Sequence, residues 1–246
     1  MLPPPMGLVL ATLAALGNVL GGWLVTSRRR WSDLMLRAFV AIGAGFLLSV
    51  ALLRMLPEAI ALEPEAALPL VVTGYFLTHL FEHALVPHFH FGEEIHSEFV
   101  HASSSRAAVV GLGLHSFFDG VSIAAGYGVS PVLGWLVFVA IALHKLPEGF
   151  TIASIVRAAG ASRGRALGSS TAVGAACVVG ALLMSGAAEL AGYGLAVATG
   201  VTIYVAATDL VPEVNKEVGH HLAFTVLGGV ALYLAAAWAL QLLGLH

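Results

Sequence analysis

The chain has 246 residues, of which 59% are hydrophobic and only 10% are charged, and its mean hydropathy is +0.92. Soluble domains carry about 25% charged residues, so this composition excludes a globular protein in water and indicates an all-α polytopic membrane protein. The net charge of −3 does not suggest a nucleic-acid partner, and the single cysteine excludes an intramolecular disulfide and a cysteine-based zinc site.

Eight apolar windows are long enough to cross a membrane as helices, which takes about 20 mostly apolar residues each. The connections between them are short, except for a loop rich in histidine and glutamate at 88–105. We therefore predict a single transmembrane domain over residues 1–246. Its spans lie near 6–26, 34–57, 66–87, 106–127, 131–157, 164–187, 192–212 and 222–243.

The basic residues predict how these spans are oriented. Nine of the eleven lysines and arginines lie in or beside odd-numbered connections, which share one side of the membrane. Under the positive-inside rule that side is the cytoplasm, and both termini lie outside. The nine are Arg28, Arg29, Arg30, Arg37, Arg106, Arg157, Arg163, Arg165 and Lys216.

Two of the spans end in similar sequences. Span 2 ends in ALLRMLPEA at 51–59, and span 7 ends in AATDLVPEV at 206–214. An odd number of crossings separates the two endings, so they lie on opposite faces of the membrane. The pattern favours an inverted repeat, with spans 1–3 matched to spans 6–8 around a central pair of spans 4 and 5. Such repeats occur in transporters, which bind their substrate near the midplane.

Histidines and acidic residues also gather on the predicted cytoplasmic side. The segment at 79–101 carries six of the eleven histidines, and flexible segments of this kind can bind divalent ions weakly, although a plain solvated loop is the alternative. An acidic pair one turn apart at the end of span 7 fits an exit path and an ordinary interface equally well. The residues assigned to an exit path or to loop metal binding are His79, Glu82, His83, His88, His90, His96, His101, Asp209 and Glu213.

The central spans each contain a polar hexamer, HSFFDG at 115–120 and HKLPEG at 144–149. Residues four apart lie on nearly the same face of a helix, so each hexamer presents one imidazole and one carboxylate together. The short turn between the spans places both dyads at similar depth. Two imidazoles and two carboxylates form a site suited to zinc, iron or manganese. The predicted ligands are His115, Asp119, His144 and Glu148.

Charged residues at this depth require neutralisation. An ionisable side chain at the bilayer centre costs about 2.5–3.5 kcal/mol on insertion scales, and Asp119, Lys145 and Glu148 all lie inside spans. A divalent cation between the carboxylates would cancel their charge. Pro147 removes one N–H from span 5, which predicts a distortion there. A polar cluster that only holds spans 4 and 5 together is the structural alternative.

The two hexamers resemble the ZIP family of divalent-metal transporters, and the chain looks like a compact, prokaryotic-type member. HKLPEG matches the H-x-x-P-E-G pattern of the family's fifth helix. HSFFDG keeps the histidine, an acid and the glycine, but has Phe118 where proline is usual. Eight spans with both termini outside and a histidine-bearing loop before span 4 are also similar to this family.

The resemblance implies that the four predicted ligands bind metal. Some members hold a second metal with an asparagine, an aspartate and a glutamate at three further positions. Here those positions carry Ser116, Lys145 and Cys177. Because a protonated lysine cannot bind a cation and repels it, we expect a mononuclear site, with Lys145 paired to Glu148 or Asp119 when the site is empty.

These observations predict a divalent-metal transporter rather than an enzyme, with zinc taken up toward the cytoplasm across the inner or plasma membrane. Zn²⁺ is the expected substrate and not a cofactor, with Fe²⁺, Mn²⁺ and Cd²⁺ as alternatives. The expected partners are the metal ions and the lipid bilayer, with no nucleic acid, and a homodimer is open. Two rival functions remain: an intramembrane zinc hydrolase, which would need an open coordination position and a separate base, and a membrane metal sensor.

Overall fold

The computed structural model of the chain describes residues 6–27, 33–81, 83, 102–215 and 221–242, and within these ranges the secondary structure is entirely helical. Seven helical stretches of this described part are long and apolar enough to cross a membrane. The helix Ala67–Leu80 is also apolar but shorter. The chain is therefore an all-α, multi-pass membrane protein.

Ten α-helices follow one another along the described residues, and two of the crossings are built from more than one helical piece. The helices are α1 (Met6–Thr26), α2 (Asp33–Val50), α3 (Leu56–Leu62), α4 (Ala67–Leu80), α5 (Ala102–Val129), α6 (Pro131–Ala158), α7 (Arg163–Gly186), α8 (Ala191–Tyr204), α9 (Val211–Asn215) and α10 (His221–Leu242). Helix α5 begins at Ala102, so residues 102–105, which we expected in the loop, are helical. A span predicted from hydropathy ends where the side chains become polar. The helix itself is defined by backbone hydrogen bonds, and these include the polar residues 102–105.

Two π-helical turns interrupt the crossings whose endings are similar in sequence. Ala51–Met55 links α2 to α3, and Val205–Leu210 links α8 to α9. Each is followed within two residues by a proline, Pro57 or Pro212. A proline lacks the N–H of a regular helix and its ring crowds the preceding turn, and a wider π turn accommodates this change. The same distortion thus occurs at both predicted repeat ends.

Glycine contacts extend the match between the two halves. A Cβ on Gly45 or Gly229 would collide with the facing backbone in the α2–α10 pair, and one on Gly74 or Gly200 would collide in the α4–α8 pair. Gly45 and Gly200 are separated by 155 positions, as are Gly74 and Gly229 and also the two prolines at 57 and 212. A constant offset across three features supports the inverted repeat.

The remaining helices form the group that holds the polar hexamers. Helices α1, α5, α6 and α7 pack on one another, while α2 contacts α6 and α8 contacts α5. Helix α6 is α-helical from Pro131 to Ala158 and includes Pro147, without a π turn such as those that precede Pro57 and Pro212. Helix α1 contacts the backbone of α6 on both sides of the proline. Gly21 of α1 lies against Leu146 and Phe150, and Gly149 of α6 lies against the backbone of Asn18.

The α5–α7 contact gives a stability prediction beside the polar hexamers. A Cβ on Gly120 would collide with the backbone of Cys177. We expect Gly120→Ala to destabilise the protein by about 1–3 kcal/mol, the usual cost of overpacking. Thermal unfolding in detergent, followed by size-exclusion fluorescence, measures the change. Gly113→Ala on the same helix is the matched control, since nothing lies within 4 Å of a Cβ built there. Equal melting temperatures for the two variants would contradict the prediction.

Candidate metal centre

The site is organised by the tight connection between α5 and α6. Ser130 alone separates the two helices and has an extended backbone conformation. Its Oγ accepts a hydrogen bond of 3.1 Å from the Leu133 N–H, which caps the start of α6. Pro131 occupies the first turn, where its missing N–H is not needed. This cap fixes the register of the helical hairpin and therefore which residues of α5 and α6 face one another.

Four side chains of the hairpin converge on one point. His115 and Asp119 on α5 and His144 and Glu148 on α6 each offer one ligand atom, and these atoms all lie within 4.8 Å of one another. Asp119 Oδ2 lies 3.3 Å from His115 Nε2 and 3.5 Å from His144 Nε2. The structure thus brings together the four residues that the two hexamers predict. Their ability to bind metal stays a prediction.

The four side chains are shielded from solvent and partly without hydrogen-bond partners. Asp119, His144 and Glu148 are buried, and the His115 side chain is 10% exposed. The Nδ1 of His144 lies 3.2 Å from the Ala140 carbonyl and donates to it, which orients the ring and leaves Nε2 as an acceptor. Among the described residues, neither His144 Nε2 nor Glu148 Oε1 has a hydrogen-bond partner. Buried acceptors of this kind are costly unless something binds them.

Lys145 lies beside this cluster and is fully buried. Its Nζ is 2.6 Å from Asp119 Oδ2, 2.6 Å from Glu148 Oε2 and 2.8 Å from Ser116 Oγ. Lys145 therefore pairs with both acidic residues at once. The two carboxylates and one ammonium leave a single negative charge around the centre when the imidazoles are neutral.

Two more residues complete the surroundings of the cluster. Cys177 on α7 is buried, and its thiol donates a long hydrogen bond of 3.8 Å to the Ala11 carbonyl. Asn18 on α1 is also buried, and neither atom of its amide has a partner among the described residues. Its backbone lies against Gly149, next to Glu148. Our sequence reasoning missed Asn18, although an amide inside an apolar span was the available signal.

The predicted exit residues do not join the central group in the described part of the chain. His79 and His83 are exposed at the end of α4, with ring centroids 4.2 Å apart. Asp209 is buried in the second π turn. The remaining residues of this prediction lie outside the described residues, or have side chains that do: Glu82, His88, His90, His96, His101 and Glu213.

A family model described as ZIP Zinc transporter matches residues 96–237, which is 142 of the 246 residues. The matched region contains both hexamers and all four converging side chains. No curated protein matches the chain.

Proposed function

Because the chain belongs to the ZIP zinc transporter family, we propose that it carries zinc into the cytoplasm through a mononuclear site of two histidines, one aspartate and one glutamate. The observation that carries this proposal is the convergence of four buried ligand atoms within 4.8 Å, inside two helices that are apolar enough to span a membrane. A set of four nitrogen and oxygen ligands matches the usual coordination number of zinc.

Lys145 supports a single ion rather than two. Its ammonium lies beside Asp119 and Glu148 and hydrogen-bonds to Ser116. Ser116 and Lys145 are two of the three positions at which the family resemblance implies that a second metal would be held. An ammonium cannot act as a ligand and repels a nearby cation. Cys177 is turned toward the Ala11 carbonyl of α1. We therefore expect the site to hold one zinc ion, although imidazole and carboxylate ligands also accept Fe²⁺, Mn²⁺ and Cd²⁺.

Metal stoichiometry tests this part of the proposal. Purified protein equilibrated with zinc should hold one tightly bound ion per chain, measured by calorimetry and by elemental analysis after desalting. His144→Ala should lose that ion, which assigns it to the central site and not to the histidine-rich loop. Two tightly bound ions that both disappear in the variant would show that Lys145 does not exclude a second metal.

The direction of transport rests on charge and on the arrangement of the histidines. We propose that the termini lie outside the inner or plasma membrane and that Arg106, Arg157, Arg163 and Arg165 lie on the cytoplasmic side, as the positive-inside rule predicts. His79, His83 and Asp209 would then lie along the inner exit. Release of the ion requires protein movement, and the inverted repeat supports alternating access by the α5–α6 group. A homodimer remains a prediction, which mass measurement in nanodiscs tests.

Transport is favoured over the two rival functions by the surroundings of the cluster. A hydrolase needs a general base that is free of other duties, but Asp119, Glu148 and Ser116 all contact the Lys145 ammonium. Uptake of labelled zinc into proteoliposomes is the test. Accumulation above that of protein-free vesicles supports transport. Zinc binding without uptake would indicate a sensor, and hydrolysis without uptake would indicate an enzyme.

A further inference from the structure

The ammonium of Lys145 has one oxygen neighbour for each of its N–H donors. It has three N–H donors and three oxygen neighbours, on Asp119, Glu148 and Ser116, at 2.6–2.8 Å. The stem of the side chain is also confined, because a Cβ on Gly17 of α1 would lie 2.9 Å from the Cβ of Lys145. These contacts hold the Lys145 side chain in the site, and it keeps this position when an ion binds.

The lysine leaves part of the ligand set available. It engages Oε2 of Glu148, whereas Oε1 has no hydrogen-bond partner among the described residues. His144 Nε2, which also has no hydrogen-bond partner among the described residues, lies 3.5 Å from Asp119 Oδ2. An ion can thus bind the open atoms while the ammonium keeps its place. The ammonium and the ion are both present in the loaded site.

With Lys145 in place, the net charge of the site has the same magnitude and opposite sign in the empty and loaded states. With neutral imidazoles, the empty site carries one net negative charge, and the site with a divalent ion carries one net positive charge. Without Lys145 the empty site would carry two negative charges and the loaded site none. The cost of removing charge from water grows with the square of the charge, so the empty state would be strongly disfavoured in a closed, dry conformation.

We propose that Lys145 is the counter-cation of the empty carrier and allows the unloaded site to return across the membrane. This inference rests on the proposed function. A transporter whose empty site cannot return is limited to exchanging one metal ion for another, whereas one whose empty site returns performs net uptake. Lys145 makes the protein a net importer, and its charge matters for the return step more than for the loaded step.

Two flux measurements test this role in the Lys145→Met variant. Methionine keeps much of the length of the side chain and removes its charge. Proteoliposomes without internal zinc report net uptake of labelled zinc, and those loaded with unlabelled zinc report exchange. We expect the variant to retain exchange within a few-fold of the wild type while net uptake falls about tenfold or more, as loss of a buried charge partner implies. Ser154→Ala is the control, since the hydrogen bond that its Oγ makes within the described residues is to the Phe150 carbonyl of its own helix.

The outcomes separate the inference from the proposed function. Equal losses of net uptake and exchange in Lys145→Met, or no loss of either, would overturn the role of Lys145. Absence of both fluxes in the wild type would overturn the transport proposal instead. Thermal unfolding gives a second readout that does not need flux. Zinc should raise the melting temperature of Lys145→Met more than that of the wild type, because only the variant lacks a cation in its empty site. An equal rise in both proteins would also overturn the inference.

Discussion

We expect a His144→Ala variant to take up zinc no faster than protein-free vesicles. His144 is buried, and the hydrogen bond from its Nδ1 to the Ala140 carbonyl directs Nε2 toward Asp119. Alanine removes one of four ligands and leaves a void that the rigid α5–α6 hairpin does not close. Outer-shell partners of metal ligands contribute about 10- to 100-fold in affinity, and loss of a ligand exceeds that range. Labelled-zinc flux into proteoliposomes, at equal protein reconstitution, measures the effect.

The matched control for His144→Ala lies on the same helix. Ser154→Ala removes a hydroxyl that bonds to the Phe150 carbonyl at 2.9 Å, away from the converging ligands. This variant should take up zinc at the wild-type rate. If His144→Ala keeps more than about a tenth of wild-type uptake while it elutes as a folded protein, His144 is not a ligand on the transport path.

Much of the fold could be predicted because a membrane leaves few choices to the backbone. Every N–H and C=O must be paired within a span, so a long apolar window is a helix. The irregular parts were harder to predict. Pro57 and Pro212 are each preceded by a π turn, whereas α6 continues through Pro147. The proline rule identifies the lost hydrogen bond, but the packing of neighbouring helices decides how the backbone accommodates it.

The candidate site was predictable where it depends on helical periodicity. His115 with Asp119, and His144 with Glu148, are dyads that follow from the i, i+4 spacing alone. The contacts of Lys145 with Ser116 and Asp119 cross from α6 to α5, and they depend on the rotation of one helix against the other. Sequence spacing does not specify that rotation.

Glu148→Gln is expected to have the second largest effect, through charge rather than shape. The amide keeps an oxygen at nearly the same position, but the site loses one negative charge while Lys145 keeps its positive charge. The loaded site would then carry two net positive charges with little exposure to water. Leaving a buried charge uncompensated costs about 3–5 kcal/mol, which corresponds to a loss of zinc affinity of roughly two to four orders of magnitude. Calorimetric titration of the purified variant measures this loss.

A second substitution tests whether charge is the cause. The double variant Lys145→Met with Glu148→Gln removes one positive and one negative group, so its loaded site returns to one net positive charge, as in the wild type. If the charge sum governs binding, the double variant binds zinc more tightly than Glu148→Gln alone, although it has one charged ligand fewer than Lys145→Met. If both variants bind equally weakly, Glu148 acts through its ligand geometry, and Lys145 does not oppose the ion. Because Lys145 and Glu148 are in direct contact at 2.6 Å, their effects should not be additive. The departure from additivity measures how strongly the Lys145 ammonium and the transported ion interact through the Glu148 carboxylate that both contact.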